Sequence, residues 1–159
     1  MGITQKTGSN KNLTSFPGQI PVNYLYTYGL AGEDFFRTLK DKGQLTATAC
    51  PECGTVYLPA RIFCEQCMVD LEKPVIAPST GTVHTFAICH EAMDGAPLDE
   101  PETIAVINID GTDGAIVHRI KGIDPCAVFI GLRVEMVLKP KNKREGSIFD
   151  IDHFKPTRK

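Results

Sequence analysis

Two Cys-x-x-Cys pairs constrain this chain more than anything else in it. Cys50-Pro-Glu-Cys53-Gly54 and Cys64-Glu-Gln-Cys67 stand ten residues apart. Each pair makes a tight turn that points two thiolates at one ion, and Gly54 permits the backbone conformation such a turn needs. Two knuckles joined by a short hairpin predict a tetrahedral site with Cys50, Cys53, Cys64 and Cys67 as ligands, suited to one zinc ion per chain. Iron fits the same four-sulfur geometry, so the ligands alone do not separate the two metals; zinc is the default for a closed site with no evident electron-transfer partner. Four protein ligands leave no position for water or substrate, which makes the metal structural. A thioredoxin-like role would need a single Cys-x-x-Cys at a βα junction, and nothing here matches that.

The rest of the chain is consistent with a soluble protein built around this site. It has 159 residues with 42% hydrophobic content, 14 Gly and 11 Pro, which suits one or two small domains. No apolar run approaches the roughly 18 to 20 residues that span a bilayer. The segment MGITQKTGSNKNLTSF lacks a signal peptide's charged-then-apolar layout. A cytoplasmic protein is therefore expected, and in a reducing compartment its six cysteines serve metal binding or burial rather than disulfides. The net charge of −2 is unevenly spread: residues 139–159 carry +4 and the first 138 residues −6. With a pI near 6.1, the whole chain lacks the basic balance of a nucleic-acid-binding domain.

Four regions follow from the pattern. Residues 1–22 are a polar extension without apolar periodicity. Residues 23–47 form an N-terminal helical segment, with a helix predicted from Glu33 to Lys42: Phe35, Phe36 and Leu39 share one face, Glu33 and Asp34 favour the positive end of the dipole, and Gly43 is a C-cap. Just before it, Tyr24, Tyr26, Tyr28 and Leu30 form an aromatic run that either packs on the helix or faces a partner. Residues 48–76 are the metal ribbon. Residues 77–159 hold five Val-, Ile- and Phe-rich strands, at 81–90, 102–110, 114–120, 131–139 and 147–154, with a short helix predicted within 124–130. Five strands with a helix after the third is the layout of an OB-fold barrel. The fold class is thus mainly β with an N-terminal helix.

FFRTLKDKGQL, then CPECGTVYLPARIFCEQC, STGTVHTF and GLRVEM, in this order and spacing, resemble the DUF35 family, which joins an N-terminal helical segment and a rubredoxin-like zinc ribbon to an OB-fold. The resemblance implies an acyl-CoA-associated accessory protein of thiolase-superfamily enzymes. Examples are acetoacetyl-CoA thiolase with hydroxymethylglutaryl-CoA synthase, benzoylsuccinyl-CoA thiolase, and aldolases acting on sterol side chains. It implies a non-catalytic subunit that docks on such an enzyme and helps bind or enclose acyl-CoA, with the carbon–carbon bond chemistry left to the partner. Pro59-Ala60-Arg61 departs from the family's usual Pro-Pro-Arg but keeps the arginine.

Candidate contacts to coenzyme A or to a partner are Arg61, between the knuckles, and the cluster Lys139, Lys141, Lys143 and Arg144 between the last two strands. A loop at that end of an OB-fold often meets ligand, although such cations also serve simply to keep a loop soluble. His84, His90, His118 and His153 are scattered without a usable carboxylate partner, and Cys89 and Cys126 lack a Cys-x-x-Cys context, so no catalytic residue is assigned. The alternative function is single-stranded nucleic-acid binding, which zinc ribbons and OB-folds both support. It requires a basic groove with exposed aromatics, and Phe86, Phe129, Phe149 and Phe154 all fall at apolar-patterned positions.

Overall fold

The computed structural model describes residues 14, 18, 22–92 and 94–157. The expected polar extension lies almost wholly outside the described residues. Helix α1 (Gly29–Lys42) buries Phe35, Thr38 and Leu39 and ends at Gly43, whose φ of 70° lets its N–H reach the carbonyls of Leu39 and Thr38. The helix starts four residues before the predicted Glu33. Its first turn therefore holds no acidic residue, and Glu33 sits in the second turn, where its carboxylate pairs with Arg37. The aromatic run thus reaches into the helix: Tyr24, Tyr26 and Tyr28 precede Gly29, and Leu30 lies in the first turn.

Strand β1 (Leu45–Ala49) is the centre of a three-stranded antiparallel sheet, flanked by β2 (Val56–Tyr57) and β3 (Pro74–Ala77). Leu45, Thr46, Ala47 and Thr48 are all buried, with α1 packed on the strand and β2 and β3 flanking it. The remaining strands are β4 (Thr80–Glu91), β5 (Pro97–Ile109), β6 (Ala115–Ile120), β7 (Arg133–Leu138) and β8 (Ile151–Pro156). They close a five-stranded barrel in the order β4-β5-β6-β8-β7. Its weakest seam is the parallel contact of β6 with β8, where only Ile120 and Phe154 pair.

All five predicted strands are present, with shifted ends. Residues 148–150, predicted as strand, form a 3-10 turn. The helix expected within 124–130 shrinks to the single 3-10 turn Pro125–Ala127, opened by the Asp124 carboxylate accepting the Cys126 N–H at 2.8 Å.

Phe35 and Leu39 of α1, Leu45 and Ala47 of β1, and Val83, Ile107, Ile109 and Val134 of the barrel belong to one continuous core. Helix, ribbon and barrel therefore share their hydrophobic stabilisation. The metal end of the ribbon has only a small separate cluster, Cys50, Tyr57, Cys64 and Leu71. So little apolar burial leaves that lobe dependent on its metal.

Candidate metal centre and its surroundings

The four cysteine sulfurs lie within 4.8 Å of one another. Cys53 Sγ and Cys64 Sγ are 3.6 Å apart. Tetrahedral ligands at a Zn–S distance of about 2.3 Å stand about 3.8 Å apart, so the donor set fits a four-sulfur metal site as folded. The two knuckles repeat one backbone design. Gly54 N–H donates to the Cys50 carbonyl at 3.0 Å and Met68 N–H to the Cys64 carbonyl at 2.8 Å. Gly54 has φ 75°, and Met68 takes the equivalent left-handed position with φ 58°. Sequence reading singled out the glycine and missed the methionine, which bears the same turn without the residue type that signals it.

Cys50 and Cys64 are buried, Cys67 half-buried and Cys53 exposed. The Tyr57 hydroxyl lies 3.3 Å from Cys64 Sγ, and the Cys67 N–H donates to the same sulfur at 3.4 Å. The Tyr57 bond is the main reason the Cys64 thiol is lowered to about 6, and the same contact pushes the Tyr57 phenol up to about 12. Cys67, by contrast, is pushed up to about 12 by its hydrogen bond with Cys53 and by burial. Four thiolates this close repel one another, and a divalent ion is what allows all four to ionise together.

Arg61 does not extend freely into solvent. Its guanidinium carbon sits 4.9 Å above the Tyr57 ring, and Nη1 donates to Glu65 Oε2 at 2.6 Å. The Arg61 backbone is held as well, since its N–H donates to Thr48 Oγ1 at 2.9 Å and its carbonyl accepts from that hydroxyl at 3.1 Å. Tyr57 thus carries the metal ligand Cys64 at its hydroxyl and Arg61 over its ring.

The four cations of the β7–β8 loop divide by environment. Lys141 and Lys143 are exposed in the 3-10 turn Lys141–Lys143, and Lys139 is half-buried. Arg144 turns inward: Nε donates to the Lys139 carbonyl at 2.8 Å and Nη1 to the Lys40 carbonyl at 3.4 Å, near the C-terminal end of α1. The loop is anchored by Asp150, which sequence reading overlooked. Its buried carboxylate accepts the N–H groups of Glu145 and Gly146, each at 2.8 Å.

Two other expectations are corrected. His153 does have a carboxylate partner: its Nδ1 lies 2.6 Å from Asp152 Oδ2. The register of β8 slips between His153 and Ile151, and this bulge brings two sequence neighbours together that a regular strand would point apart. Phe129 and Phe149, expected at apolar positions, are exposed, while Phe154 is fully buried. The aromatic run is exposed too: Tyr24, Leu25, Tyr26, Tyr28 and Leu30 all face solvent, although the Tyr28 ring also packs against Phe36, tilted by 48° with centroids 4.8 Å apart.

Family models place this geometry. Residues 37–72 match the rubredoxin-like zinc ribbon domain of ChsH2, and residues 74–139 match the C-terminal OB-fold domain of ChsH2. A DUF35 domain-containing scaffold protein of Methanocaldococcus jannaschii is 34% identical over 126 residues, covering 76% of this chain and 87% of that protein. The chain belongs to the DUF35 family. A second DUF35 domain-containing scaffold protein, from Methanothermobacter thermautotrophicus, is 29% identical, covering 76% of this chain and 92% of the relative. Among solved structures, a DUF35 protein of unknown function from Sulfolobus solfataricus superimposes with a TM-score of 0.59 at 29% identity, over 69% of this chain and 78% of that one. A chain of the Ltp2-ChsH2(DUF35) aldolase shares the fold, with a TM-score of 0.57 at 21% identity over 77% of this chain and 91% of its own. In this DUF35 protein the four cysteines are accordingly the structural centre of a zinc ribbon. Among the described residues no helix is long and apolar enough to cross a membrane.

Proposed function

We propose that this protein is a non-catalytic subunit that docks on a thiolase-superfamily enzyme and helps to enclose an acyl-CoA. The observation that carries the docking is the segment before and into α1. Val22, Tyr24, Leu25, Tyr26, Tyr28 and Leu30 are exposed, with Leu25 fully so at 104%. Large apolar side chains gathered in one stretch and left uncovered mark an interaction surface. Tyrosines suit such a surface because they pair a broad apolar ring with a hydrogen-bonding hydroxyl. Support for an enzyme as the partner comes from the scaffold names of the relatives and from the aldolase complex that shares the fold.

The metal ribbon stiffens the region this segment adjoins, since α1 packs on β1 of the ribbon sheet. Lys141 and Lys143, with Lys139 beside them, are offered to the phosphates of coenzyme A, and Arg144 holds the loop that carries them. Arg61, kept in place by Tyr57 and Glu65, is offered to the partner or to the same ligand. Holding the pantetheine arm against the partner's active site lowers the entropy cost of the reaction there.

The test is affinity purification of the tagged protein from its native cells, with mass spectrometry of what co-elutes and a metal assay on the same sample. A stoichiometric thiolase-superfamily enzyme and one zinc per chain is the expected result. Recovery of the zinc-loaded protein alone would overturn the docking.

A further inference from the structure

One aromatic ring connects a metal ligand to the molecular surface. Tyr57 is 7% exposed, its hydroxyl lies 3.3 Å from the Cys64 sulfur, and the Arg61 guanidinium carbon stands 4.9 Å above its ring. Arg61 itself is half in solvent, where Glu65 holds it.

Metal ligation fixes the direction of the Tyr57 hydrogen bond. Between a thiol and a phenol either group can donate, but a cysteine that ligates a metal is a thiolate and has no hydrogen to give. The hydroxyl is then the donor and Cys64 Sγ the acceptor. The backbone of Glu65 also lies near the phenol oxygen, and its N–H competes there for a lone pair, not for the hydrogen. Cys64 accepts from the Cys67 N–H as well, at 3.4 Å, and is wholly buried. At this sulfur, bulk water does not take the phenol's place.

Cys53 provides the contrast. A hydroxyl stands beside its sulfur too, Thr55 Oγ1 at 3.2 Å, but Cys53 is exposed and water can replace that contact. The Tyr57 hydroxyl differs further in having a cation behind it. Positive charge beside a phenol makes its hydroxyl a stronger donor. The Glu65 carboxylate, 2.6 Å from Arg61 Nη1, offsets part of that charge, so Arg61 influences the sulfur less than the hydroxyl does. Thr48 pins the backbone from which the arginine reaches over the ring, since its hydroxyl bonds both the Arg61 N–H and the Arg61 carbonyl.

We propose that Tyr57 is a positioning residue for the metal, donating through its hydroxyl to the Cys64 thiolate, and that Arg61 tunes this bond from the surface through the ring. Whatever neutralises or withdraws the Arg61 guanidinium is then felt at the metal-bound sulfur, and metal loading in turn fixes the ring on which Arg61 rests. The inference rests on the zinc-ribbon assignment and is independent of the docking and acyl-CoA readings.

The probe is cobalt(II), loaded into the full chain in place of zinc, because its sulfur-to-metal charge-transfer bands report electron density on the thiolates. A hydrogen bond lowers the energy of the sulfur lone pairs and so raises the energy of the transition. Tyr57→Phe, which keeps the ring, should move these bands to longer wavelength and weaken zinc retention against a chelator about tenfold. Arg61→Gln should shift the bands the same way by less, and Arg61→Lys, which keeps a cation, should bring them back toward the parent. Thr55→Val should leave them near the parental position. Unmoved bands in Tyr57→Phe, even with faster metal loss, would mean that the residue only packs the lobe and would overturn the proposal. An equal shift in Thr55→Val would overturn it as well. If Tyr57→Phe does not bind metal, Arg61→Gln decides, because unmoved bands in that variant sink the coupling through the ring.

Discussion

Asp113 and Val56 exchange hydrogen bonds across the boundary between barrel and ribbon. The Asp113 carboxylate accepts the Val56 N–H at 2.8 Å, and the Asp113 N–H donates to the Val56 carbonyl at 2.8 Å. Asp113 lies in the turn between β5 and β6 and Val56 in β2, so the hairpin of one module completes the edge strand of the other. Gly114 makes the approach possible. A Cβ there would lie 2.4 Å from the Leu58 carbonyl oxygen.

Substitution at this junction separates its two components. Asp113→Ala removes the carboxylate acceptor but keeps the backbone contact, and should cost about 1 to 2 kcal/mol. Gly114→Ala forces the hairpin off β2 and should cost more, about 2 to 3 kcal/mol by analogy with other overpacking changes. Thermal unfolding with zinc retained is the measurement, and equal melting of both variants with the parent would refute the linkage.

Removal of the metal should unfold the ribbon's outer lobe while the barrel persists. The lobe's own cluster holds two of the ligands and little else, whereas the barrel shares its core with α1 and β1. Cys53→Ser, or a strong chelator, should therefore abolish amide protection from residue 50 to 71 and leave Ile107 and Val134 protected in hydrogen exchange. Uniform loss of protection would mean that the metal supports the whole chain.

The β7–β8 loop depends on Asp150. Its buried carboxylate holds two backbone N–H groups, and charge-assisted bonds of this kind are worth about 1.5 to 3 kcal/mol each in mutational series. Asp150→Ala should lower stability by a few kcal/mol and release Lys141 and Lys143 into disorder. Asp150→Asn, which can still accept one bond, should lie between it and the parent in a denaturant titration.

Acid should weaken the clamp between Asp110 and Arg133. Arg133 Nη1 and Nη2 bond the two carboxylate oxygens of Asp110, at 2.6 Å and 2.5 Å, and Thr80 donates its hydroxyl to one of them. These bonds, the Arg133 one foremost, hold the carboxyl below its ordinary value of 3.8. A depressed carboxyl stabilises the fold fully above pH 3.8, and that contribution is lost as pH falls through the lower folded value. Asp110→Asn should remove this acid-range dependence and cost about 1 kcal/mol at neutral pH, as expected for a partly exposed pair. A parent and variant that lose stability in parallel below pH 4 would contradict the assignment.

A last prediction concerns the uncovered segment. Leu25→Asp should abolish partner capture while zinc content and melting temperature stay at parental values, because the Leu25 side chain is fully exposed. Undiminished capture would direct attention away from this segment.

The metal centre was the most legible part of the chain because its ligands lie within two short turns whose spacing is itself the geometry. The barrel strands could be read from runs of β-branched residues bounded by turns, and the α1 C-terminus from Gly43. What sequence could not supply were relationships decided by register and by packing at long range. The inward turn of Arg144 depends on where α1 ends relative to a loop about a hundred residues later. The pairing of His153 with Asp152 depends on a bulge that no local residue signals. Asp150 reads as one more acidic residue until the fold buries it beneath Glu145 and Gly146. The residue types of this sequence determined a zinc ribbon followed by an OB-fold, since turn chemistry and side-chain periodicity act over a few neighbours. Only the tertiary structure decided which polar groups are buried, which cations stay free and which apolar side chains remain uncovered, because desolvation depends on every element that packs around a group.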